Sequence, residues 1–64
     1  MYTLYAYNHF GTVSREWNFL EKSYAVEMFN TAARCVDCKL AQLVDAITGE
    51  IIMEYNYNKE IEIF

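Results

Sequence analysis

Polar and apolar residues alternate along this chain in two different periods. Between Leu20 and Val36 the apolar side chains recur at helical spacing. Leu20, Tyr24, Ala25, Met28, Phe29, Ala32, Ala33 and Val36 share one stripe of the projection, with Ser23, Glu27, Asn30 and Arg34 opposite. This spacing predicts one amphipathic helix over roughly 21–35, and its apolar stripe requires a sheet to cover. Its N-terminus lacks a strong cap, because Asn18 comes too early and Ser23 too late. At the other end Arg34 suits the negative end of the dipole, and Asp37 and Lys39 break the stripe.

On both sides of this segment the period is two. Tyr2, Leu4 and Ala6 alternate with Thr3, Tyr5 and Tyr7, and Val13, Arg15, Trp17 and Phe19 alternate with Ser14, Glu16 and Asn18. Between these runs lies Asn8-His-Phe-Gly11, whose Asn and Gly tolerate the backbone of a hairpin reversal. After the helix, Lys39 to Ala46 leads through Ile47-Thr-Gly-Glu50 into a second hairpin. In its last strand Ile51, Met53, Tyr55 and Tyr57 share the expected core face, and Ile52, Glu54, Asn56 and Asn58 the other. The tail from Asn58 to Phe64 alternates again and would either prolong that strand or add an edge strand.

Four strands are thus expected, at about 1–8, 12–19, 39–46 and 50–57, around one helix. The ββαββ order predicts an α+β fold: an antiparallel four-stranded sheet with the helix packed across one face, and residues 1–64 forming a single domain. Strand order stays open, because the helical connection can set the second hairpin beside either strand of the first.

Composition supports a folded unit of limited stability. A chain of 64 residues buries only about 60% of its unfolded surface. With 55% hydrophobic residues, no Pro and two Gly, it has neither the composition of a disordered tail nor a linker. The N-terminal residues lack the features of a secretory signal and no apolar run reaches membrane-spanning length, so a cytoplasmic location is expected. Nine acidic against five basic side chains give a net charge of −4. Arg15, Lys22, Arg34, Lys39 and Lys59 are scattered, which argues against duplex DNA as a partner.

Candidate chemistry is sparse. Cys35 and Cys38 have the spacing of half a zinc site, but four ligands are needed and His9 is the one strong candidate left. Zinc would then need a site shared between two molecules. For redox work Cys35 stands at the wrong end of the helix, where the dipole favours the neutral thiol, so both cysteines read as packing thiols. His9 has no identifiable orienting partner and reads as an exposed turn residue. Glu50, Glu54, Glu60 and Glu62 read as solvated strand positions. No catalytic residue, metal ligand or cofactor site is assigned, and an enzyme is the least supported class.

The aromatic content departs most from the ordinary, with six Tyr, four Phe and one Trp. Strand alternation cannot turn Tyr2, Tyr5 and Tyr7 to the same face, so tyrosine must remain on the side the helix does not cover. Such a face suits a protein interface, where aromatics are enriched, or the stacking of unpaired bases. Base stacking normally comes with a basic groove, which the net charge does not provide. In size, acidity and lack of catalytic motifs the chain is similar to the small accessory reading frames of bacteriophages and mobile elements. The expectation is therefore a non-enzymatic protein-binding or regulatory module, with Tyr5, Tyr7 and Ile52 as candidate contacts. Self-association through an edge strand is a compatible variant, and single-stranded nucleic-acid binding or an intermolecular zinc site at Cys35 and Cys38 are the alternatives.

Overall fold

The computed structural model describes residues 1–57 and 61–64. Its elements are β1 (Tyr2–Tyr7), β2 (Val13–Phe19), α1 (Lys22–Ala33), β3 (Leu40–Asp45), β4 (Ile51–Asn56) and β5 (Glu62–Ile63). All neighbouring strands are antiparallel, in the order β2-β1-β3-β4-β5. The expected four-stranded sheet is therefore corrected to five strands. The chain turns back after β4, pairs Ile63 with Met53 and Glu62 with Glu54, and donates the Phe64 N–H to the Ile52 carbonyl at 2.8 Å. This backbone pairing satisfies part of the edge that β4 would otherwise present to water. Asn58, Lys59 and Glu60, which belong to the expected tail pattern, lie outside the described residues.

Two asparagine-and-glycine or aspartate-and-glycine turns close the hairpins. Asn8 Oδ1 accepts from the backbone N–H of Phe10 at 2.9 Å and of Thr12 at 3.2 Å, and Gly11 takes φ +84°. Asp45 Oδ1 accepts from the Ile47 N–H at 2.9 Å, and Gly49 takes φ +78°. In both turns a short polar side chain satisfies backbone donors while glycine supplies the left-handed residue.

The strand order is settled by the partner of β3. β3 pairs with β1, through Leu4↔Leu43 and Ala6↔Ala41, so the second hairpin is added on the side of β1 away from β2. β1 is thus an interior strand, paired on both sides. The helix lies over β3, β1 and β2, and the core is Leu4, Ala6, Ala25, Phe29, Ala32, Cys38, Ala41, Leu43 and Met53. Phe29, Leu4 and Leu43 are the largest fully buried side chains, and alanines fill much of the remaining contact. Small residues on both faces let helix and sheet approach closely, and Phe29 is the one large helix side chain fully buried between them.

The helix is shorter than its apolar stripe. It runs from Lys22 to Ala33, with Glu21 as an N-cap that makes no side-chain capping bond and Arg34 as C-cap. Ala25, Phe29, Ala32 and Ala33 are buried as the stripe requires, but Leu20 is 81% exposed and Val36 95% exposed, both outside the helical turns. Tyr24 is also exposed and leans on Phe19, with ring centroids 5.4 Å apart.

Candidate interaction surface

The register assigns each strand residue to a side of the sheet. Leu4, paired with Leu43 and Trp17, defines the helix side together with Ala6, Ala41, Arg15 and Met53. Arg15 accordingly lies over the Trp17 ring, 5.6 Å from its centroid. The intervening residues form the opposite side, which none of the described elements covers: Thr3, Tyr5 and Tyr7 of β1, Leu40, Gln42 and Val44 of β3, and Glu54 and Asn56 of β4.

Tyr5 and Tyr7 therefore occupy one face, next to each other along β1, and both are half-buried. Tyr7 stands opposite Leu40, and Tyr5 opposite Gln42. Thr3 is buried despite facing this side, and its hydroxyl donates to Asn18 Oδ1 at 2.8 Å. Ile52 has a different setting. Leu43 pairs with Met53 and Val44 with Ile51, so β4 carries one residue more than β3 at this point, and that residue is Ile52. It is half-buried and packs against the edge of the core. The same bulge pairs Ile51 with Val44, so Ile51, expected at the core, is 39% exposed.

Across the middle of the uncovered face runs a row that sequence reasoning did not assemble: Glu16, Tyr5, Gln42, Glu54 and Glu62, one from each strand. Gln42 Nε2 donates to Glu54 Oε2 at 2.9 Å. None of the described strand residues on this face is Lys or Arg. Alternation alone identifies Glu16 and Glu54 as outward-facing; only the strand order aligns them with Tyr5.

The other candidates lie elsewhere. His9 is exposed in the first turn, its ring meeting that of Tyr57 edge-on at 5.0 Å. Cys35 and Cys38 bound the turn after the helix, in which the Cys38 N–H donates to the Cys35 carbonyl at 3.1 Å. Their thiols point to different acceptors, Cys35 to the Thr31 carbonyl and Cys38 to the Leu40 carbonyl. Burial, then the neighbouring Cys35 and Asp37, push the Cys38 thiol above its ordinary pKa and favour the protonated form. Among the described residues no three His, Cys, Asp or Glu side chains converge as a metal site, and no helix is long and apolar enough to cross a membrane. Compared with protein-family models, curated proteins and solved structures, the chain matches none.

Proposed function

We propose that the chain is a small non-enzymatic binding module that recognises another protein through the sheet face opposite the helix. The observation that carries this reading is the uncovered patch of Tyr5 and Tyr7 with Leu40 and Val44, half-buried apolar and aromatic side chains held on rigid paired strands. Aromatic residues on such a support offer contact area with little conformational freedom to lose. The Glu16, Glu54 and Glu62 carboxylates on the same face disfavour nucleic-acid phosphates, which supports a protein partner over a single-stranded nucleic acid. The burial of Cys38 likewise supports a packing role over a zinc site shared between two molecules.

The test is capture from host lysate with the tagged protein, comparing the parent chain with Tyr5→Ala/Tyr7→Ala. The expected result is a stoichiometric protein partner, resistant to nuclease treatment and lost in the double variant. Retention of nuclease-sensitive material, or a partner indifferent to both tyrosines, overturns the reading. Circular dichroism of the double variant separates loss of the surface from loss of the fold.

A further inference from the structure

Three features lie outside the hydrophobic core or at its edge: the uncovered sheet face, the cysteine pair after the helix, and the exposed apolar residues around Leu20. The cysteine thiols turn to different carbonyls. The Leu20 region is a shallow depression lined by Asn18, Phe19, Leu20, Glu21 and Tyr24, with nothing in the structure to say what covers it. The sheet face differs because its charge and geometry both constrain the occupant.

We infer that the occupant is a basic, extended peptide segment of the partner, with two arginines four residues apart that reach Glu16 and Glu54. This rests on the binding-module reading above and specifies the chemistry of its partner. The row from Glu16 through Tyr5 and Gln42 to Glu54 crosses four adjacent strands, hence three strand spacings, or about 14 Å. An extended chain advances about 3.4 Å per residue and turns alternate side chains to the same side, so residues i and i+4 are separated by about the same distance. A segment laid across the strands therefore places its first and fifth side chains over the two carboxylates. The third lies over Tyr5 and Gln42, where an apolar residue meets the tyrosine ring.

The chemistry at each end favours arginine. A guanidinium engages a carboxylate through two parallel N–H donors and stacks on an aromatic ring, whereas ammonium does so as a point charge. Glu54 already accepts from Gln42, which fixes one of its oxygens and leaves the carboxylate oriented. Glu62 lies directly opposite Glu54 on the next strand and adds negative potential at that end. Arg15, the one cation on β2, is on the helix side against Trp17, on the opposite side of the strand from Glu16.

The experiment is an amide-shift titration of the isotopically labelled full chain with the acetylated, amidated peptide Thr-Arg-Thr-Val-Thr-Arg-Thr. Its comparators are a peptide with both arginines replaced by glutamate, one with the arginines two residues apart, and a ten-residue oligothymidylate. The expected shifts fall on Tyr5, Gln42, Glu16 and Glu54 and spare the helix. Binding weakens at least about tenfold in Glu16→Gln/Glu54→Gln, and less than about twofold in the charge-matched Glu27→Gln/Glu50→Gln. Equal losses in the two double variants, shifts outside the face, indifference to arginine spacing, or absence of binding overturn the inference. So does an oligonucleotide that shifts the face when the peptide does not. If the peptide fails while a lysate partner still depends on Tyr5 and Tyr7, the inference falls and the binding-module reading stands; if that dependence also fails, both fall.

Discussion

At the scale of single residues, the fold depends on very few large side chains. Phe29 has no exposed surface and is the one aromatic residue fully enclosed between helix and sheet. Phe29→Ala removes its burial and leaves a cavity that surrounding alanines are too small to fill, at an expected cost of about 3–5 kcal/mol. In a domain of this size that consumes most of the folding free energy, and urea unfolding should show little or no folded baseline at 25 °C. Cys38 contributes differently. Its raised pKa means that the folded chain keeps the thiol proton at a pH where the unfolded chain has released it. Its contribution is fully present below the ordinary thiol pKa and declines as pH rises from there through the raised value. Thermal unfolding across the alkaline range should therefore show a steeper loss of stability in the parent than in Cys38→Ala; parallel slopes would remove Cys38 as the cause.

At the scale of elements, most of the architecture was legible because side-chain period and backbone turns agree. The β1 and β2 alternation, the Asn8 to Gly11 turn and the helix start at Glu21 without a side-chain capping bond all lie where the residues place them. The stripe was less informative at its ends. Periodicity scores Leu20 and Val36 as helix contacts, but it cannot register that backbone turns begin after Glu21 and stop at Ala33. The tail was ambiguous for a related reason: its alternation fits a prolonged β4 as well as an added edge strand, and only the pairing of Glu62 and Ile63 with Glu54 and Met53 decides for the second. The close helix-to-sheet approach also has a testable consequence. Ala41 has no exposed surface, and its neighbours across the sheet are Ala6 and Tyr55. Ala41→Leu adds apolar volume where the gap is already closed, so it should destabilise by about 1–3 kcal/mol in chemical denaturation. A stabilised variant would show that the alanine interface leaves unfilled space.

At the scale of the whole molecule, what the residues could not disclose was the lateral order of the strands. Alternation and the presence of one helix require some tyrosine of β1 on the uncovered side; that it is Tyr5 and Tyr7 follows from Leu4 and Ala6 facing the helix. The row that joins Tyr5 to Glu16, Gln42, Glu54 and Glu62 needs β3 beside β1, and local sequence does not encode that choice. The arrangement sets stability against binding. Glu54 and Glu62 face each other on neighbouring strands, and like charges directly opposite destabilise a sheet. Glu62→Lys replaces repulsion by attraction and should add about 0.2–1 kcal/mol, a rise of a few degrees in Tm at low salt. The gain should shrink in 1 M sodium chloride, where the screening length falls to about 3 Å. The same variant places a cation at the end of the carboxylate row and should weaken the arginine peptide while leaving the fold intact. Higher stability with unchanged peptide binding would reduce Glu62 to a solvated edge residue; unchanged stability at low salt would show that the β4 and β5 pairing is too loose to transmit the charge. A gain in stability coupled to a loss of binding would mean that the molecule retains an electrostatic cost in its free state which a basic partner relieves.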